Sequence, residues 1–167
     1  MTTEGKPQTD AGSLEIALDR RDLPVSGVSS LLRVLQASLR EVARGDDGIR
    51  HWFSRQPQPV LHMSADIAEE DLVLRFAFVD PADSTPLTRL SSDAFSAFFS
   101  QFSQLLKGLP QRGLWGESVG GARRRDYPTE VARRLDQVRL ELRRFPRGRV
   151  VCGRATIQFE GDRMQID

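Results

Sequence analysis

The sequence predicts an α+β fold, in which a mainly antiparallel sheet carries two to three amphipathic helices packed on one face. Two observations predict it. Short segments alternate apolar and polar residues, as half-buried strands do, and longer segments repeat apolar residues at helical spacing. Their order along the chain is strand, helix, strand, strand, helix, helix and then two or three strands. At 167 residues the chain fits one such domain, which we place at 14–167.

The N-terminal segment 1–13 consists of polar and small residues with hardly an apolar side chain. Such a segment cannot bury enough apolar surface to offset the entropy lost on ordering, so we expect a disordered tail. Directly after it, Leu14, Ile16 and Leu18 recur at every second position. This period of two predicts a half-buried strand.

The first helix is expected to begin at Ser26, whose hydroxyl suits an N-cap, and to run to about Ala43. Gly45 beyond its end suits a left-handed stop. The apolar stripe of this helix consists of Val28, Leu31, Leu32, Leu35, Leu39 and Val42.

Two strands at 60–67 and 72–79 are predicted to form an antiparallel hairpin, because they are apolar and flank the acidic turn 68–71. The carboxylates of Asp66, Glu69, Glu70 and Asp71 could in principle bind a cation or act as paired carboxylates, but they lack the spacing of an EF-hand loop. We interpret them as a solvated turn.

The residues 76–79, Phe-Ala-Phe-Val, resemble the middle of the RNP1 motif of RNA-recognition motif domains, whose strand aromatics stack on bases. Leu74 and Arg75, however, occupy the basic and glycine positions of that motif, and Pro81 replaces its last aromatic residue. Apolar residues fill one whole face of the predicted strand: Leu72, Leu74, Phe76 and Phe78. We therefore interpret this face as core.

A second helix is expected after a cap at Ser91 or Ser92, and a glycine-rich connector follows near 110–127. Asp126 and Pro128 suit the start of a third, narrower helix. Three strand-like segments end the domain, at 149–154, 155–159 and 164–166.

Positive charge is concentrated late in the chain. Ten arginines and four acids between Arg123 and Arg149 give this segment a net charge of +6, against +1 for the whole chain and −5 for the rest. Within the third helix the acids lie three or four residues from arginines and offset much of their charge. Two basic clusters remain at the helix ends, Arg123 to Arg125 and Arg147 with Arg149, and they predict an anionic docking partner.

No residue pattern indicates catalysis. The segment 116–121 has the glycines of a phosphate-binding loop, but neither the lysine nor the serine or threonine that should follow them. His51 and His62 belong to no metal-binding motif, and Cys152 lies in an apolar strand-like run. We therefore expect no enzyme, no cofactor and no metal.

The leading functional hypothesis is a non-catalytic adaptor or accessory subunit that binds another protein with an acidic surface. Leu114 and Trp115, flanked by glycines, precede the first basic cluster and suit an interface anchor. The predicted partner-binding residues are Leu114, Trp115, Arg123, Arg124, Arg125, Arg147 and Arg149.

Two other classes stay open. One is a sequence-independent nucleic-acid-binding protein that uses the arginine-rich segment 123–149. The other is a small-molecule enzyme or ligand-binding domain with a pocket between sheet and helices. A single cysteine, no export leader and no apolar run of roughly 20 residues lead us to expect a cytoplasmic protein that does not span a membrane. The oligomeric state is left open.

Overall fold

The structure is a computed structural model, and it describes residues 13–45, 49–54, 57–108, 130–161 and 163–167. The strands are β1 (Leu14–Asp19), β2 (Val60–Ala68), β3 (Asp71–Val79), β4 (Arg147–Cys152), β5 (Ala155–Glu160) and β6 (Arg163–Ile166). The helices are α1 (Val25–Arg44), α2 (Thr88–Gly108) and α3 (Glu130–Leu142). This is the predicted order of elements, and it confirms the α+β class. The predicted tail, apart from Ser13, and the predicted connector near 110–127 lie outside the described residues.

The six strands form one antiparallel sheet in the order β2-β3-β1-β4-β5-β6. β1, the first strand in the chain, lies in the middle. It pairs Leu14 with Phe76 of β3 on one side and with Cys152 of β4 on the other. β2 and β6 are therefore the two outer strands among the described residues. The predicted hairpin of β2 and β3 is confirmed, with Val60 opposite Val79 and Ala68 opposite Asp71.

One apolar core lies between the sheet and the helices. The sheet contributes alternate side chains and the helices contribute their stripes, so all three helices cover the same face. Phe76 and Phe78 are 3% and 2% exposed, which confirms that this face of β3 is core. The largest fully buried side chains are Phe95, Phe98, Phe102 and Phe145, together with six leucines and isoleucines of β1 and α1, Ile49 and Leu74.

The start and end of α1 differ from the sequence-based expectation. The helix begins at Val25 after Pro24, whose carbonyl accepts the N–H of Val28 at 3.1 Å, so Ser26 lies inside the first turn and is not the N-cap. The φ of −71° at Pro24 is close to the value that the proline ring fixes. Gly45 has φ −82°, so it is not a left-handed stop. Its N–H still bonds the Glu41 carbonyl at 3.3 Å and extends the last turn.

The expected cap of α2 was also wrong. The helix begins at Thr88, so Ser91 and Ser92 lie inside it. Ser91 is buried, and its Oγ accepts the backbone N–H of Phe78 at 2.9 Å. Its hydroxyl therefore accepts a hydrogen bond from the end of β3 and does not cap the start of α2.

Helix α1 packs against both α2 and α3. The contact with α3 is close, because the Oγ of Ser38 shares its proton between the carbonyl oxygens of Val34 and Arg134, which lie 2.8 and 3.0 Å away. Within the described residues, no helix has the length and apolar character needed to cross a membrane.

Candidate functional site

The sheet face opposite the helices, which we call the open face, carries Arg147 and Arg149. Strand alternation places them there, since Gly148 between them and Val150 after them lie beside Leu18 and Ile16 on the core side. In the register of β1 and β4, Arg149 lies beside Ala17, and Arg147 lies one step beyond, next to Asp19. These two are the predicted partner-binding residues that fall within the described part of the chain. Leu114, Trp115, Arg123, Arg124 and Arg125 lie outside it.

Arg147 is held by two carboxylates. Its Nε donates to Oδ2 of Asp19 and its Nη2 to Oε2 of Glu70, both at 3.0 Å. Oδ2 of Asp19 also accepts a hydrogen bond from Nη2 of Arg21 at 2.7 Å. Hydrogen bonds from Arg21, with a smaller contribution from the charge of Arg147, hold the pKa of the Asp19 carboxyl well below its usual range.

Arg149 extends the same ion-pair network, because its Nη1 donates to Oδ2 of Asp71 at 3.3 Å. The acidic turn between β2 and β3, which the sequence indicated only as solvated, is thus tied to β4 through Glu70 and Asp71. Its other acid, Glu69, is exposed and has the positive φ of 55° that closes the turn.

A second group of ion pairs crosses the open face nearer the middle of β3. The Arg75 guanidinium lies 3.2 Å from Glu15 of β1 and 4.0 Å from Asp66 of β2. Between the two groups, Ala17 and Val73 are only 1% exposed although no described helix covers them. Arg149 lies beside Ala17 and Arg75 lies two residues from Val73 on the same face, so their long side chains are placed to shield these small apolar residues.

A shallow depression of about 640 Å³ lies over β4, β5 and β6. Its polar lining side chains are Asp71, Arg147, Arg149, Gln158, Glu160, Arg163 and Gln165. Arg163 makes no salt bridge within the described residues, and Arg147 and Arg149 stay 50% and 44% exposed despite their ion pairs. The depression therefore presents guanidinium N–H groups in excess of the carboxylates that face them.

The other candidate groups for chemistry are dispersed. His51 and His62 are exposed, and the described residues hold no group of three or more His, Cys, Asp or Glu side chains placed to bind a metal ion. Cys152 packs against the core, and burial raises the pKa of its thiol. A thiol in that state is a poor nucleophile at neutral pH.

One ion pair on α3 is buried, whereas the sequence indicated only that acids and arginines of this helix are neighbours and offset each other's charge. The Arg139 Nε donates to Oδ1 of Asp136 at 2.6 Å, and the two side chains are 6% and 1% exposed. Each residue directly follows a core residue, Leu135 or Val138. This adjacency was a usable signal, because a helix packed on two sides buries positions next to its stripe as well.

Sequence reasoning predicted β2 as a strand but missed its exposed position at the edge of the sheet. All of its nine residues are exposed apart from the half-buried Leu61. On the helix side of the sheet, Met63 and Ile67 are 45% and 60% exposed, because the described helices do not extend over this strand. Its exposure follows from the strand order, which leaves β2 at the edge.

Comparison of the chain with protein-family models, with curated proteins and with solved structures found no match.

Proposed function

We propose that this protein is a non-catalytic adaptor or accessory subunit that binds an acidic segment of another protein. The observation that carries the proposal is the depression over β4 to β6, where Arg147, Arg149 and Arg163 line one surface. A guanidinium group offers five N–H donors in a planar arrangement that matches carboxylate oxygens. Three such groups on one sheet surface suit an extended peptide that carries Asp or Glu at successive positions.

The ion pairs support the proposal because they hold the arginine side chains in place while using only some of their guanidinium N–H groups. Arg147 uses Nε and Nη2 and Arg149 uses Nη1, so other donors of both groups remain available within the described structure. Side chains that are already held lose less conformational entropy when a partner binds. The lining is nearly balanced, with three arginines against Asp71 and Glu160. Short-range hydrogen bonds are therefore expected to matter more than long-range attraction.

The predicted residues outside the described part of the chain belong to the same proposal. Leu114 and Trp115 would supply an apolar anchor, the kind of residue that contributes most of the affinity in protein interfaces. Arg123 to Arg125 would add a second basic contact.

The character of the depression favours a protein over the two other partner classes. Single-stranded nucleic acids need aromatic side chains on which bases can stack, and Phe159 among the lining residues is 3% exposed. Small molecules are usually held in enclosed and mostly apolar pockets, whereas this depression is shallow and lined by charged and amide side chains.

A fluorescence anisotropy titration tests the proposal with a glutamate-rich peptide and with a short DNA duplex as probes. Arg149→Glu and Arg163→Glu should each weaken peptide binding by about tenfold or more, since each replaces a donor by a repelling charge. The matched control is Arg154→Glu, the same change at the exposed turn between β4 and β5, away from the depression.

Equal loss in the Arg154→Glu control would mean that only net charge matters, and tighter binding of the duplex would favour a nucleic-acid partner. The anchor is tested separately by affinity purification from the native host. Trp115→Ala combined with alanine at Arg123, Arg124 and Arg125 should release the partner, and retention of every co-purifying protein would contradict this part of the proposal.

A further inference from the structure

The edge strand β2 lacks the usual protection against pairing with another strand. Natural edge strands are commonly short, bulged, or interrupted by lysine or proline. β2 is nine residues long, pairs with β3 without a break, and contains no lysine, proline or glycine. Asp66 is its single carboxylate. An exposed strand of this kind is a template for a further strand.

The hydrogen bonds around β3 show which backbone groups of β2 point outward. Even-numbered residues of β3 bond on the β1 side, since the Glu70 carbonyl accepts the N–H of Arg20 at 2.8 Å. At the other end, Phe78 bonds Leu87 and Ser91 on that same side, where β1 has ended. Odd-numbered residues of β3 therefore bond β2. Their partners in β2 are the even-numbered residues.

The outward-pointing N–H and C=O groups of β2 consequently belong to its odd-numbered residues: Leu61, Met63, Ala65 and Ile67. One of these groups has a local partner, because the Ile67 N–H donates to Oδ1 of Asp66 at 2.8 Å. This bond is what an unpaired edge is expected to make in the absence of a neighbouring strand.

The sequence of β2 is complementary to itself when a second copy is placed antiparallel about a two-fold axis at Ser64. His62 then lies opposite Asp66 of the other copy, and this pair occurs twice. On the helix side, the apolar pairs Leu61 with Ile67 and Met63 with Ala65 also occur twice. In this register the outward-pointing N–H and C=O groups of one copy lie opposite those of the other copy, so about eight backbone hydrogen bonds can form between the two strands.

We propose that the protein forms a homodimer in which the two β2 strands pair antiparallel about Ser64 and join the two sheets into one. An imidazole N–H donates to a carboxylate in each His62–Asp66 pair, and these pairs occupy non-hydrogen-bonded positions, where side chains come closest. In the dimer, the Ile67 N–H donates to the Leu61 carbonyl of the second copy in place of Oδ1 of Asp66. The Asp66 carboxylate can then accept a hydrogen bond from His62 of the second copy. The exposed side chains of Met63 and Ile67 become part of a continuous apolar strip.

This proposal concerns a different surface from the depression over β4 to β6 and does not depend on an acidic partner. Sedimentation analysis of the full chain over about a hundredfold concentration range should show a concentration-dependent dimer. Ala65→Pro should weaken it by about tenfold or more, because it removes an outward N–H from each copy. Ala65→Ser, which keeps that N–H, is the matched control, and circular dichroism verifies that both variants fold.

Cross-linking tests the register itself. Ser64→Cys places two thiols on the two-fold axis, close enough to form a disulfide under mild oxidation. His62→Cys is the matched control at a similarly exposed position, since its two thiols would be about 13 Å apart along the strands. Ser64→Cys should give a covalent dimer, while His62→Cys and the native chain with Cys152 should not.

A charge exchange tests the His62–Asp66 pairs. His62→Asp alone should weaken the dimer, because it places two carboxylates opposite each other. Adding Asp66→His should restore the dimer, since each pair again joins an imidazole and a carboxylate. If His62→Asp acted only by disrupting the strand, the second substitution would not restore dimerisation. A chain that stays monomeric over the whole concentration range overturns the proposal. So does a dimer that resists Ala65→Pro, or one in which Ser64→Cys cross-links no faster than His62→Cys.

Discussion

Phe78 donates its backbone N–H to the Oγ of Ser91 at 2.9 Å, and this bond joins the end of β3 to the first turn of α2. β1 ends its pairing with β3 at Leu14 opposite Phe76, so the N–H of Phe78 has no strand partner on that side within the described residues. The Oγ of Ser91 accepts the hydrogen bond that a carbonyl of a neighbouring strand would otherwise accept. The bond is buried, and Leu87 completes it by donating its N–H to the Phe78 carbonyl at 2.8 Å.

Ser91→Ala should lower the free energy of unfolding by about 1–3 kcal/mol, because it leaves a buried N–H without an acceptor. Urea denaturation measures the change. Ser100→Ala is the matched control, since Ser100 is exposed on the same helix and gains the same helix propensity. An equal effect of the two substitutions would show that the bond to Phe78 contributes nothing.

Ser103→Ala should instead raise the free energy of unfolding, by about 1 kcal/mol. The Oγ of Ser103 is buried and has no hydrogen-bond partner among the described residues. Removing it eliminates a desolvated hydroxyl and favours the helix. The measurement is the same denaturation series, in which the gain should exceed that of Ser100→Ala.

Gly148→Ala should destabilise the protein by about 1–3 kcal/mol. An added Cβ would overlap the carbonyl oxygen of Ala17 and the ring of Phe159, both of which belong to the packed middle of the sheet. Gly108→Ala is the control, because a Cβ there meets no atom of the described residues within 4 Å. Thermal unfolding distinguishes the two, and a Gly148→Ala protein as stable as the native one would mean that Phe159 moves aside freely.

Asp19→Asn should destabilise the protein at neutral pH, and the difference should disappear in acid. The lowered pKa keeps the native carboxyl charged where the unfolded one, with a pKa of about 3.9, takes up a proton. The stabilisation is therefore complete above that pKa and is lost as the pH falls below it. Denaturation at a series of pH values tests this, with Asp93→Asn on the exposed side of α2 as control. A difference that does not change with pH would contradict it.

Breaking the buried ion pair of α3 from one side should be more damaging than replacing both partners. Asp136→Ala leaves the Arg139 charge buried beside an apolar side chain, a change that costs about 3–5 kcal/mol. The double variant Asp136→Leu with Arg139→Met should cost less than either single substitution, which a double-mutant cycle measures. Additive losses would show that the two charges do not depend on each other.

Local patterns were sufficient to predict the elements. The hairpin expected at 60–67 and 72–79 is found at Val60–Ala68 and Asp71–Val79, because alternation and an acidic turn are properties of neighbouring residues. The start of α1 was misplaced because Pro24 occupies the N-cap position with an extended backbone, so that Ser26 lies inside the first turn.

Features that depend on long-range packing could not be predicted in this way. The burial of Asp136 depends on how α3 lies against α1, and the exposure of Ile67 depends on which strand is outermost. The ion pairs of Arg147 likewise join residues far apart in the chain. Two of the three arginines of the depression, Arg147 and Arg149, were predicted from the charge of the sequence, but their ion-pair partners became visible only with the strand order.

The central position of β1 also determines how the domain can assemble. The hairpin of β2 with β3 and the run of β4 to β6 can each form from neighbouring segments, but they meet only through β1. Leu14 pairs with Phe76 on one side and with Cys152 on the other, and most of the described chain lies between Leu14 and Cys152. Because closing a long loop is slow, we expect the pairing of β1 with β4 to limit the rate of folding.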